Sequence, residues 1–137
     1  MADIVGYSRL MNEDEIGTLK VIKNIQSELI DPLNNLHAGR VVKTMGDGFL
    51  IEFASVIEAT QCSIEIQKSI IKRDVNNKGK IKISLRIGIH MGDILETESD
   101  IYGDGVNIAA RLESQSLPGG VCIKSTVHDQ INGKIDY

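Results

Sequence analysis

The sequence predicts an α+β fold with an antiparallel-rich sheet and helices on one face. Two short apolar runs flank a Gly-x-Gly turn at residues 46–48, a pattern typical of a β-hairpin. Residues 80–89 alternate between apolar and polar side chains, which predicts a strand with one face on a core. Two further segments repeat apolar residues at three- and four-residue spacing, which predicts amphipathic helices.

The predicted elements follow in the order β-α-β-β-α-β-β-α-β-α, which is close to the ferredoxin-like class. The predicted strands are residues 2–5, 40–44, 48–53, 80–89, 93–96 and 121–124. The predicted helices are residues 12–30, 55–73, 106–113 and 125–131. Capping-box patterns mark the first two helix starts, at Asn12 with Glu15 and at Ser55 with Glu58. The first helix is expected to bury one face, composed of Ile16, Leu19, Ile22, Ile25 and Leu29.

Composition and charge exclude several classes of function. The chain of 137 residues has 15 basic and 19 acidic side chains and no basic block, so a nucleic acid is not expected as a partner. No apolar run approaches the roughly 20 residues of a membrane helix, so we expect no membrane contact from this chain. Cys62 and Cys122 lack any C-x-x-C spacing. Two buried thiols in a reducing compartment, and hence a cytoplasmic domain, are expected.

Two aspartates stand where a predicted strand meets a turn. Asp3 and Asp47 are flanked by small or apolar residues rather than by other charges. A lone aspartate at a strand end is usually a turn former or a helix cap. On adjacent strands, however, the two carboxylates would lie side by side, and such a pair suits hard cations such as Mg²⁺ or Mn²⁺.

Three other segments carry candidate binding groups. Gly6, Tyr7 and Ser8 lead from the first strand into a helical segment, where backbone N–H groups favour phosphate. Lys43 interrupts an apolar strand, either as its solvent face or as a cation for a ligand. Asn107 and Arg111 are four residues apart and therefore share a helix face. Their side chains suit charge that develops on phosphoryl oxygens. The alternative is an amphipathic helix with a solvated polar face, but asparagine is a mediocre helix former, so its place early in the helix invites a further reason.

Four motifs occur together and in order. They are ADIVGYS at residues 2–8, GRVVKTMGDGF at 39–49, LRIGIHMGD at 85–93 and DIYGDGVNIAARLE at 100–113. With this spacing the chain resembles the catalytic domain of class III adenylate cyclases, especially the bacterial ones. The resemblance covers nearly the whole chain and implies a palm-type cyclase domain. We expect one such domain over residues 1–137, beginning within its first strand and stopping short at its C-terminal end.

The resemblance also implies a reaction and a set of roles. ATP would be converted to 3′,5′-cyclic AMP and pyrophosphate at the interface of a head-to-tail homodimer, with two divalent cations, Mg²⁺ or Mn²⁺. Asp3 and Asp47 match the metal-binding aspartates of the family, with the carbonyl of Ile4 as a further ligand. Lys43 and Asp100 match the pair that selects adenine. Asn107 and Arg111 match the pair that supports the transition state.

Three alternatives stay open at this point. A guanylate cyclase would reverse the hydrogen-bonding pattern at the base, which Lys43 and Asp100 argue against. A non-catalytic cyclase-like domain for nucleotide binding or dimerisation should have lost at least one site residue, and Asp3, Asp47, Asn107 and Arg111 are all present. A palm-type phosphoryl-transfer domain that uses a template would need a basic channel, which the acidic charge disfavours.

Overall fold

The computed structural model describes residues 1–76, 81–91, 95–96, 101–102 and 104–135. Its strands are β1 (Ala2–Ile4), β2 (Arg40–Met45), β3 (Gly48–Glu52), β4 (Leu85–Ile89), β5 (Leu95–Glu96), β6 (Ile101–Tyr102) and β7 (Val121–Ile123). Its helices are α1 (Tyr7–Glu13), α2 (Glu15–Ile25), α3 (Asp31–Leu36), α4 (Val56–Asn76), α5 (Asp104–Gln115) and α6 (Ser125–Ile131). A π-helical turn, Gln26–Ile30, joins α2 to α3.

The main sheet has five strands in the order β2-β3-β1-β4-β7. The β2–β3, β3–β1 and β1–β4 pairs are antiparallel, and β4–β7 is parallel. The predicted α+β class with an antiparallel-rich sheet is therefore confirmed. The hairpin predicted around residues 46–48 is the β2–β3 pair, with a register irregularity between Val41 and Lys43.

One face of the sheet packs against most of the helices. Ala2, Ile4, Phe49, Leu85 and Ile87 all point to this face, because paired residues in adjacent strands share a side. The same core cluster contains residues of α4 at the predicted spacing and of α6: Cys62, Ile66, Ile70, Val127 and Ile131. The predicted amphipathic character of residues 55–73 is thus confirmed, and Ser55 caps this helix by accepting from Glu58 N at 3.2 Å.

The N-terminal helical region differs from the single helix predicted over residues 12–30. A break at Asp14 separates α1 from α2, and the Asp14 carboxylate accepts from Gly17 N at 2.9 Å. The cap is therefore Asp14 and not Asn12, because the extended backbone that a capping residue needs occurs at Asp14, two residues further along the chain. Ile16 and Leu19, predicted to be buried, are 83% and 46% exposed, because α2 turns the side that carries Thr18 and Ile25 inward instead. Asp31 and Pro32 do not end the helical path, because α3 begins there with proline in its first turn.

The prediction for residues 80–96 was wrong in two respects. The regular strand begins only at Leu85, although Ile83 before it is buried as the alternation predicts. The predicted strand 93–96 contains β5, but β5 pairs antiparallel with β6 rather than with β4, and no strand is predicted at the residues of β6. A strand of two residues leaves almost no periodicity in a sequence, so β6 has no readable signal.

α5 is an exception to the layer of helices on one face. Ile87 and Ile89 point into the core, so Gly88 between them faces the opposite side of the sheet. A Cβ placed on Gly88 would lie 2.2 Å from Glu113 N and 2.5 Å from Ala109 O. α5 therefore packs with its backbone directly on β4, an approach that only glycine permits.

Two polar contacts join α4 to its neighbours. His37, just after α3, places its two ring nitrogens 2.7 Å from Glu58 Oε2 and 2.9 Å from Glu65 Oε2. Both carboxylates accept from the ring when it is an imidazolium, and the bond to Glu65 is the main cause of the raised pKa of His37. Gln67 Nε2 donates to Leu85 O at 3.0 Å and to Gly120 O at 2.8 Å.

The described part of the chain has no helix that combines the length and the apolar character needed to cross a bilayer.

Candidate active site

Asp3 and Asp47 lie together at one end of the sheet. β1 pairs with β3 so that Asp3 is opposite Gly48, and Ile4 N donates to Asp47 O at 2.7 Å. Gly48 has no room for a side chain, because a Cβ there would lie 2.5 Å from Ala2 O. The hairpin turn therefore lies directly against β1, as the prediction of adjacent carboxylates requires.

The electrostatics of this pair suit a cation. Burial, and then the charge and hydrogen bond of Asp47, raise the pKa of Asp3, whereas the backbone N–H of Ile4 opposes the shift by donating to Asp3 Oδ1 at 3.0 Å. A divalent cation would offset the repulsion between the two carboxylates, so this pair of side chains suits a divalent cation. Ile4 has its side chain in the core, so only its backbone is available as a ligand. Within the described residues no cluster of three His, Cys, Asp or Glu side chains is arranged around a metal position.

The Gly6–Ser8 segment forms the start of α1, beside the same turn. Gly6 precedes the helix with a left-handed backbone, φ 67° and ψ 32°, which glycine adopts without strain. The Tyr7 hydroxyl lies 3.2 Å from the position of a Cβ on Gly46. The Tyr7 side chain thus reaches the hairpin turn that carries Asp47.

Lys43 lies on β2, the edge strand, opposite Leu50 of β3. The register places Lys43, Gly48 and Asp3 on one face of the sheet, away from the main core. β3 separates β2 from β1, and Lys43 and Asp3 are offset by two residues along it, so their backbones are about 12 Å apart. Asp100, the predicted partner of Lys43 at the base, lies outside the described residues.

α5 carries the predicted transition-state pair. The structure describes the backbone position of Asn107 on this helix, four residues before Arg111. The Arg111 side chain is exposed, whereas Glu113, two residues further on, is buried against the sheet. The Arg111 side chain is therefore exposed on the outer side of α5, and the opposite side of this helix packs on β4.

Arg86 and Glu113 were not singled out from the sequence, yet both lie near the aspartates. Arg86 is opposite Asp3 in the β1–β4 register, and its Nε donates to Ser116 O at 3.2 Å. The available signal was a charged residue within the apolar strand LRIGI, the same kind of signal that drew attention to Lys43.

Residues 1–137 match the sequence profile of the adenylate and guanylate cyclase catalytic domain. The chain belongs to this family. A Rhizobium meliloti protein provisionally named adenylate cyclase 3 is 42% identical over 135 residues, which are 98% of this chain and 23% of that protein. An adenylate cyclase of Streptomyces coelicolor is 26% identical over 134 residues, 95% of this chain and 32% of that protein. The cyclase domain thus spans less than a third of these curated relatives.

The cyclase fold is also shown by a solved structure. The adenylate/guanylate cyclase/hydrolase of Silicibacter pomeroyi superposes with a TM-score of 0.87 at 42% identity, over 98% of this chain and 78% of that one. The family resemblance stated from the four motifs is therefore confirmed, and with it the assignment to a cyclase catalytic domain.

Proposed function

We propose that this cyclase domain is an adenylate cyclase that forms 3′,5′-cyclic AMP and pyrophosphate from ATP. The observation that carries the proposal is the adjacent pair Asp3 and Asp47 on β1 and the β2–β3 turn, in a chain of the cyclase family. The attacking group belongs to the substrate: the ribose 3′-oxygen bonds to the α-phosphorus, the bond to the β-phosphate oxygen breaks, and the hydroxyl proton passes to solvent. No side-chain nucleophile is required.

The two aspartates would hold divalent cations, Mg²⁺ or Mn²⁺, with the Ile4 carbonyl as a further ligand. When bound, these cations lower the pKa of the 3′-hydroxyl and neutralise the triphosphate. Backbone N–H groups at Gly6, Tyr7 and Ser8, at the start of α1, would bind phosphate oxygens. The proposal for these residues is supported by the Tyr7 side chain, which reaches the hairpin turn that carries Asp47.

Base selection is assigned to Lys43 and Asp100. An ammonium group can donate to adenine N1, and a carboxylate can accept from the exocyclic amine. Guanine presents the reverse pattern at these two positions and would leave both groups mismatched, which costs several kcal/mol in a buried site. The pair therefore favours ATP over GTP.

The site is proposed to be shared between two copies of the chain. Asp3 and Asp47 would come from one copy, and Lys43, Asp100, Asn107 and Arg111 from the other. Two observations support this arrangement: Lys43 lies on a strand two positions from β1, and Arg111 is exposed on α5 rather than directed at the aspartates' strand. A two-fold symmetric dimer then holds two equivalent sites.

The first experiment is incubation with Mn²⁺ and either ATP or GTP, followed by chromatography of the cyclic nucleotides. Cyclic AMP should be the main product. Asp47→Asn should lower its formation about 100-fold or more while the thermal unfolding temperature stays near that of wild type, because a ligand and not core packing is lost. Cyclic GMP as the main product would refute the role of Lys43 and Asp100 in base selection, and full activity of Asp47→Asn would refute the metal assignment.

A second experiment tests the shared site. Asp47→Ala and Arg111→Ala are each inactive as homodimers, but a mixed dimer has one site with both lesions and one with neither. Random pairing makes half of the dimers mixed, so the mixture should regain about a quarter of wild-type activity. Demonstrated subunit exchange without any recovery would mean that each site lies within one chain.

A further inference from the structure

Two charged residues, one on β4 and one on α5, lie close to Asp3. Arg86 is opposite Asp3, on the face of the sheet that α5 covers, and its Nε is bonded to Ser116 O at 3.2 Å. Glu113 is one turn before Ser116 and is only 7% exposed. Its backbone N lies 2.2 Å from the position of a Cβ on Gly88, so the close helix–strand contact fixes its place above β4.

The charges of this group act on one another. Burial and then the charge of Asp3 raise the pKa of Glu113, Arg86 opposes the shift, and Asp47 adds to it. Among the side chains that the structure describes, Arg86 is the cation whose charge acts on both Glu113 and Asp3.

We propose that Arg86 and Glu113 form a counter-charge pair that sets the affinity of the Asp3–Asp47 site for divalent cations. The inference rests on the metal role proposed for that site. Arg86 attracts the Asp3 carboxylate and repels a bound cation, whereas Glu113 neutralises Arg86 and keeps the site acidic. Both residues act through Asp3 and are positioning residues, not ligands.

The charge pair predicts that two substitutions change the Mn²⁺ affinity in opposite directions. Glu113→Gln removes a negative charge and leaves Arg86 uncompensated, so Mn²⁺ binding should weaken about fivefold. Arg86→Met removes the repulsive charge and leaves Glu113 uncompensated, so Mn²⁺ binding should tighten about fivefold. The double variant has the same summed charge as wild type and should return to within about twofold of its affinity.

The affinity is measured on the full chain at pH 8, without nucleotide, from the electron paramagnetic resonance signal of free Mn²⁺. Arg86→Lys is the matched control, because it keeps the charge and loses only the guanidinium bond to Ser116. Its Mn²⁺ affinity should stay within about twofold of wild type. Circular dichroism of each variant reports folding, and Arg86→Gln, which also removes the positive charge, takes the place of Arg86→Met if that variant does not fold.

The outcomes separate this inference from the proposed function. Shifts of opposite sign that cancel in the double variant support the charge pair, because a merely structural role would weaken binding in both single variants. If the Mn²⁺ affinity of both single variants changes in the same direction, or does not change, the charge pair is refuted. The metal site is still supported in that case if Asp47→Asn loses Mn²⁺ binding. If Asp47→Asn binds Mn²⁺ as wild type does, the metal site fails and the inference fails with it.

Discussion

Replacing Gly88 with alanine tests whether the contact between α5 and β4 positions α5, the helix that carries the proposed transition-state pair. The added Cβ would lie 2.2 Å from Glu113 N and 2.5 Å from Ala109 O, and both of these atoms belong to the backbone. No rotamer change can relieve them, so α5 must move away from β4 by about 1 Å to reach an ordinary contact distance. The substitution thus displaces the helix that carries Asn107 and Arg111.

The cost follows from this geometry. Overpacking of a well-packed contact costs about 1–3 kcal/mol, and a clash with backbone belongs at the upper end of that range. The reduced freedom of the unfolded chain returns roughly 0.5–1 kcal/mol, so the free energy of unfolding should fall by about 2 kcal/mol. For a chain of this size the unfolding temperature should fall by about 5–10 °C. A displacement of about 1 Å at reacting groups lowers turnover by about 100-fold.

Thermal and urea unfolding measure the stability, and cyclic AMP formation well below the unfolding temperature measures the activity. Gly120→Ala is the matched control: its Cβ would lie 3.1 Å from Leu117 O, so a shift of a few tenths of an ångström accommodates it. Its stability should stay within about 1 kcal/mol of wild type. If Gly88→Ala unfolds at the wild-type temperature and keeps its turnover, the argument from the α5–β4 contact is wrong.

Substitutions at three further residues test contacts of the helical layer. Because the pKa of His37 is raised, its charged form stabilises the fold fully below the unfolded pKa near 6.5, and this stabilisation is lost as pH rises through the folded pKa. The difference in free energy of unfolding between wild type and His37→Gln should therefore be about 1 kcal/mol at pH 6 and should shrink toward pH 8.5 in urea titrations. A difference that grows with pH would contradict the imidazolium. Gln67→Leu leaves two backbone carbonyls without their donor and should cost about 2 kcal/mol, whereas Gln67→Glu retains none of the donation and should cost at least as much. Thr18→Val removes only the 2.9 Å bond from the buried hydroxyl to Leu10 O and should cost about 1 kcal/mol; an unchanged urea midpoint would show that this bond contributes nothing.

Local patterns in the sequence determined most of the elements. The Gly-x-Gly turn predicted the β2–β3 hairpin, because the flanking runs and the turn residues specify both strand ends. The spacing of Cys62, Ile66 and Ile70 predicted the buried face of α4, because helix periodicity is a property of the chain itself. The same local reasoning failed for Ile16: the spacing could show an apolar face but not the break at Asp14 that turns this residue outward.

The residues of the proposed metal site were readable from the sequence, and their proximity was not. Asp3 and Asp47 are distant in the chain, and only the pairing of β1 with β3 brings their carboxylates together and raises the pKa of Asp3. The placement of Arg86 and Glu113 behind them depends on a strand register and on the contact at Gly88. Such contacts depend on packing between elements. Side chains far apart in sequence interact only once the strand register is fixed and the helix is packed at its final distance from the sheet.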